Sequence, residues 1–229
     1  MNMVAVESRL KRIDVFLGSG NESLALSFRF PTDTFSSPCS VAVGDFNHDD
    51  RIDITITDYL DGYVAVFVGY GNRSFGCQDT YSTGRSSFPH AVTTGDLNND
   101  NRMDIAVANS AKSNVDIFLG YSNGSFARQI TYSTGNRVYP YAVTISDFDS
   151  DNNMDIAVVN YGQNEGNILN IIVGVLLNLD NGTFTPAVMY STGYNSLSNS
   201  IASGDFNNGK EVDIHIVVAF HCLLSQIFT

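Results

Sequence analysis

Three short stretches of this chain place oxygen-bearing side chains at positions 1, 3, 5 and 9 of a polar loop. The first holds Asp45, Asn47, Asp49 and Asp53, the second Asp96, Asn98, Asp100 and Asp104, the third Asp147, Asp149, Asp151 and Asp155. Alternate side chains of a tight loop converge on one centre, and carboxylate and amide oxygens suit a hard cation such as calcium, which takes six to eight oxygen ligands. Position 7 can add a main-chain carbonyl, from Arg51, Arg102 or Asn153, whose own side chains are not needed as ligands. Position 6 calls for a left-handed backbone, and Asp50, Asn101 and Asn152 are among the few residue types besides glycine that tolerate one. An EF-hand would need a glutamate at position 12 and flanking helices. Here position 12 is Ile56, Val107 or Val158, inside an apolar run. A fourth stretch keeps Asp205, Asn207 and Asp213 but has Gly209 at position 5 with Lys210 beside it. It is expected to bind a cation poorly, so about three sites are expected.

The stretches are one part of a longer repeat. The first aspartate steps from 45 to 96 to 147, an interval of 51 each time, and then 58 to Asp205. The longer interval places about seven extra residues near 162–175. Tyr81-Ser82-Thr83-Gly84 returns at 132–135 and 190–193, and Phe67-Val68-Gly69-Tyr70 returns at 118–121. Such self-similarity marks an array of equivalent units.

Each unit reads as four short strands, placed in the second unit at 91–94, 104–108, 115–119 and 126–132, rich in Val, Ile, Phe and Thr. Asn123-Gly124 sits where a tight hairpin needs positive φ. Ile105 and Val107 alternate with Ala106 and Ala108, so both faces of that strand are apolar and both must be covered. Stacked blades of a β-propeller do this. The expected fold is all-β: a propeller of four-stranded antiparallel blades, about four of them, or a fragment of a larger propeller. The whole of 1–229 is one domain, with a half blade at 1–31, blades at about 38–88, 89–139 and 140–196, and a half blade at 197–229. The leading half is expected to supply strands three and four and the trailing half strands one and two, so that together they could close a ring.

The pattern G-D-x-N-x-D-x-R-x-D-I resembles the FG-GAP and VCBS repeats of integrin α-chain propellers and related extracellular proteins. The literal Phe-Gly and Gly-Ala-Pro signatures are replaced by Phe-Leu-Gly and Pro-x-Ala-Val. The resemblance implies calcium-stabilised blades, an extracellular or cell-surface location, and a role in adhesion or ligand recognition.

Composition narrows the partners. The net charge is −12, which repels nucleic acid and anionic membranes. Of the 24 acidic residues, 12 occupy ligand positions of the four loops, so the acidity is gathered where a cation would neutralise it. The run after Ile214 is too short to span a bilayer, so no direct membrane insertion is expected. Cys39, Cys77 and Cys222 form neither a disulfide framework nor a zinc pattern. No H-E-x-x-H, G-x-x-x-x-G-K or G-x-S-x-G motif occurs, and His48, His90, His215 and His221 do not recur with the repeat. The expected role is therefore non-catalytic, with a protein or carbohydrate ligand; the alternatives are a lectin-like propeller or an accessory propeller of a larger secreted hydrolase. Strand order places the cation loops and Asn-Gly turns on one face. The segments 85–88, 136–139, 160–166 and 194–199 fall on the other, with Phe88 and Tyr139 beside Arg85 and Arg137 as candidate contacts. Sequons at Asn21, Asn72, Asn123 and Asn181 occupy the same turn in each unit and are candidate glycan sites if the chain is secreted.

Overall fold

Runs of β-branched and aromatic residues, each ended by Gly, Asn, Asp or Ser, set short strands with sharp turns between them. The computed structural model describes residues 2–18, 24–32, 37–71, 74–163, 169–194, 200–206 and 212–217. Every regular element among them is a strand. The first sheet holds β1 (Asn2–Glu7), β2 (Arg12–Gly18) and β3 (Leu24–Pro31). The second holds β4 (Pro38–Gly44), β5 (Asp53–Asp58), β6 (Tyr63–Gly69) and β7 (Phe75–Ser82). The third holds β8 (Pro89–Gly95), β9 (Asp104–Asn109), β10 (Asn114–Phe118) and β11 (Ile130–Ser133). The fourth holds β12 (Val138–Ser146), β13 (Asp155–Gln163), β14 (Leu169–Leu176) and β15 (Val188–Tyr194), and the fifth β16 (Ser200–Gly204) and β17 (Asp213–Val217). Each sheet is an antiparallel meander in sequence order, the blade plan of a propeller-type fold.

Three features differ from those read in the sequence. The leading segment contributes three strands rather than two, because the alternating Val4 and Val6 of β1 pair with Val15 and Ile13 and pack into the core beneath. By repeat position β1 is a second strand, as β17 is, so the two end sheets do not complement one another into one blade. They remain separate sheets. The last strand of the third sheet begins at Ile130, four residues late, while Phe126 makes an isolated bridge to Gly120. The extra residues of the third unit lie where the sequence placed them and lengthen the β13–β14 hairpin, whose strands run 9 and 8 residues against 6 and 5 for β9 and β10.

The double-sided apolar pattern is used as expected. Ile105 and Val107 join Phe46, Val64 and Val66 in the core between the second and third sheets. Ala106 and Ala108 join Val143, Ile156 and Val158 in the core between the third and fourth. The tyrosine of the repeated Tyr-Ser-Thr-Gly is a latch between blades. The Phe126 N–H donates to the Tyr81 hydroxyl at 3.0 Å, and the two rings meet edge-on at 5.5 Å. One blade further on, the Phe184 N–H donates to Tyr132 at 3.3 Å with the rings 5.4 Å apart.

Removing that acceptor leaves a largely buried N–H without a partner, at a cost of about 1 kcal/mol or more. Tyr81→Phe is expected to lower unfolding free energy by that amount in urea titrations, whereas Tyr121→Phe, at an exposed ring, changes it by less than about 0.5 kcal/mol.

Candidate metal centre

Each cation loop joins the first and second strands of a sheet, and its own side chains fold it. The position-1 carboxylate accepts two backbone N–H groups from the far side of the loop. Asp45 takes those of Asp49 and Asp50 at 3.1 and 2.8 Å. Asp96 takes those of Asp100 and Asn101 at 3.1 and 2.7 Å, and Asp147 those of Asp151 and Asn152 at 3.1 and 2.9 Å. Position 5 accepts the N–H of position 7: Arg51 to Asp49, Arg102 to Asp100, Asn153 to Asp151. Asn47 and Asn98 turn their amide nitrogens toward Asp49 and Asp100, at 3.3 and 2.9 Å. Position 6 is left-handed as expected, with φ of 61° at Asp50 and Asn101 and 69° at Asn152. Position 4 is left-handed too, at His48, Asn99 and Ser150 (φ 59°, 58° and 64°). The residues standing there, His, Asn and Ser, share no type that would have announced it.

Position 9 behaves differently from the rest. Asp53, Asp104 and Asp155 start the second strands and are fully buried. One oxygen of each accepts the N–H of loop position 2, from Phe46, Leu97 or Phe148, at 2.8–2.9 Å. The other accepts an N–H at or just beyond the end of the third strand, from Gly69, Gly120 or Asn178, at 2.7–2.8 Å. Burial, opposed by these two donors and aided by Asp100 and Asp96, pushes the Asp104 carboxyl up to about 6; Asp53 and Asp155 are raised for the same reasons. In the fifth sheet, where 207–211 lie outside the described residues, Asp213 still accepts the Phe206 N–H at 3.1 Å. The loop-side bond of the clamp therefore persists where the ligand pattern has decayed.

In the third loop Asp147, Asp149 and Asp151 bring carboxylate oxygens within 4.8 Å of one another. Loss of hydration, then the charges of Asp151 and Asp147, hold Asp149 above the usual carboxylate range. A cluster of hard, mutually repelling oxygens fits a divalent cation of the calcium type. Asp155 stands apart from that group. Arg51 and Arg102 turn their guanidinium groups onto their own loops, Arg102 Nη2 lying 2.6 Å from Asp100 Oδ2.

The faces are arranged as read. Asp180, in the β14–β15 turn, accepts from Asn153 of the third cation loop at 2.8 Å. At the opposite end the two aromatic candidates part company: Phe88 is half-buried and stacks on Tyr59 at 4.9 Å, while Tyr139 stays exposed. Rings not singled out in the sequence continue the contact. His90 meets Tyr59 at 6.0 Å and Tyr141 at 4.3 Å, and Tyr141 meets Tyr161 at 4.5 Å, a belt crossing three sheets. His90 Nδ1 lies 3.0 Å from the Tyr141 carbonyl oxygen, and burial lowers the histidine's pKa. Cys39, a free thiol, occupies the same repeat position as His90 and Tyr141, and the three line a cavity of about 300 Å³ between the first strands of the sheets. Much of 160–166 and 194–199, and the side chains of Cys77 and Cys222, lie outside the described residues.

These meanders and loops define a propeller-type repeat protein. Residues 49–107 and 96–158 each match the FG-GAP-like repeat, so the chain carries FG-GAP-like repeats. No curated protein matches it. Among solved structures it is similar to a "putative 6-phosphogluconolactonase" from Bacteroides uniformis ATCC 8492, at 16% identity and a TM-score of 0.58. The match covers 92% of this chain and 59% of that one, and at such identity it speaks for the fold alone. No helix among the described residues is long and apolar enough to cross a membrane.

The clamp and the ligand cluster separate experimentally. Asp104→Ala strands two buried N–H groups, at about 1–3 kcal/mol each, and is expected to lower the melting temperature in chelator and in calcium alike. Asp100→Ala is expected to leave the melt in chelator nearly unchanged and to lower only the second loop's share of any increment seen on adding calcium.

Proposed function

We propose that this chain is a calcium-stabilised, non-catalytic recognition module of an extracellular or cell-surface protein. The observation that carries the reading is the threefold recurrence of one oxygen-bearing loop, pre-folded by its own backbone donors and set on a buried carboxylate clamp, whose third copy brings three carboxylates together. FG-GAP repeats are commonly calcium-binding and typical of extracellular proteins. Bound cations would neutralise carboxylates that otherwise repel one another, so binding and folding are linked. The ligands would be the side chains at positions 1, 3 and 5, joined by the position-7 carbonyls of Arg51, Arg102 and Asn153, with the position-9 carboxylates beneath.

Recognition of a protein or carbohydrate partner is assigned to the face opposite the cation loops. Loop positions there are free of metal geometry, and Tyr139 beside Arg137 offers an exposed ring and a cation, the pair of groups favoured at binding hot spots. Exposed Asn123 and Asn181, on the cation-loop face, are suited to carry glycans. Asn21 and Asn72 lie outside the described residues.

Calcium at a hundredfold excess over its dissociation constant adds about 2.7 kcal/mol per site. Differential scanning calorimetry of chelator-stripped protein should show that gain on adding calcium. Asp100→Ala is expected to lose one bound ion and Asp205→Ala none; a melt indifferent to calcium contradicts the metal assignment. For recognition, cell adhesion to surfaces coated with the chain should fall in the double variant Arg137→Ala, Tyr139→Ala while its calcium-dependent melt is retained. Adhesion lost instead through Asn123→Gln would place recognition on the other face.

A further inference from the structure

We propose that the second and third cation loops bind their ions cooperatively, through two side-chain amides that bridge them, while the first loop binds independently. This rests on the calcium reading above. The first bridge is Asn153, at position 7 of the third loop and buried. Its amide nitrogen donates to Asp151 and to Asp180, each at 2.8 Å. Its oxygen accepts from the Asn99 amide of the second loop at 2.5 Å. The second bridge is Asn178. Its N–H donates to Asp155, the clamp of the third loop, while its side-chain amide donates to the carbonyls of Leu97 at 2.8 Å and Met154 at 3.0 Å. The Leu97 N–H in turn donates to Asp104, the clamp of the second loop. Ligand and clamp of one loop are thus each tied by hydrogen bonds to the neighbouring loop.

The boundary between the first and second loops has the same geometry and lacks both bridges. Gly120 stands where Asn178 stands and has no side chain to reach back. Arg102 stands where Asn153 stands and spends its guanidinium on Asp100 of its own loop. His48 replaces Asn99 and is exposed. The coupling therefore has an internal control within the same chain.

The physical cause is shared ordering. A metal-free loop with clustered carboxylates repels itself, and an ion that closes the third loop fixes Asn153 and Asn178. These hold Asn99 and the Leu97 carbonyl where the closed second loop needs them, so the second ion meets a loop that has less freedom left to lose. By linkage the effect is reciprocal, and couplings of this kind run from about 5-fold upward.

The test is calorimetric titration of the chelator-stripped full chain with calcium chloride. Asp49→Ala silences the first loop and leaves the coupled pair, whose isotherm is expected to have a Hill coefficient clearly above 1. Adding Asn99→His and Asn178→Gly, the residues the first and second units carry at those positions, is expected to return the coefficient to 1 with the same number of ions bound. Silencing the second loop as well, by Asp100→Ala, should leave the third binding about 5-fold more weakly or worse. Circular dichroism checks that each variant is folded; should the double bridge variant fail, Asn99→His alone carries the comparison. Two ions taken up with a coefficient of 1 or less in the Asp49→Ala chain overturn the coupling and leave the calcium reading standing. No uptake of calcium by the unmodified chain overturns both.

Discussion

A carboxylate with no exposure to water must find a donor for each oxygen or remain at a cost of several kcal/mol. At Asp53, Asp104 and Asp155 the donors are two backbone N–H groups, one from the start of the cation loop and one from at or just beyond the end of the third strand. That pair of bonds fixes three things together: the loop's entry, the start of the second strand and the end of the third. The remaining oxygen-bearing positions hang from this frame, and their own hydrogen bonds close the loop. The raised pKa of Asp104 follows from the same burial. Frame and metal site are neighbours with different physical demands.

Between sheets, the constraint passes to apolar packing and to a small number of polar ties. The strands are buried on both faces, so every blade needs a neighbour on each side, and Tyr81 and Tyr132 add a directional contact that sets how adjacent blades meet. Where a unit departs from the repeat, new contacts follow. Asn178, in place of a glycine, reaches across to the preceding unit. Asn153, in place of an arginine, bonds its neighbour as well as its own loop. A repeat array thereby acquires a boundary between its second and third loops unlike that between its first and second, without altering its plan.

The two ends of the strands live under unequal restraint. On the cation face, side-chain type is dictated position by position. At the opposite end, equivalent positions hold Cys39, His90 and Tyr141, or Tyr59, Ser110 and Tyr161, and the rings among them run together into a belt. Variety at equivalent sites within one array is what a surface free of a common structural duty permits.

Much was legible in the sequence because it is carried by local chemistry and repetition. The strand periodicity of Ile105 to Ala108, the left-handed position 6 and the oxygen pattern of the loops are properties of a few adjacent residues, and three copies raise them above chance. The early strand at Val4 and Val6 was legible too, 51 residues before β5, but the sequence holds no oxygen-bearing loop ahead of it to draw attention to it. What tertiary structure alone decided depends on residues far apart in the chain. That position 9 is a buried clamp depends on an N–H about 16 residues away at Gly69 or Gly120. That Asn178 links two loops depends on Leu97, 81 residues earlier. That Phe88 is covered while Tyr139 is not depends on Tyr59 in the preceding blade. Residue type and spacing state which groups are able to bond; only the packing of one blade on the next states which of them meet.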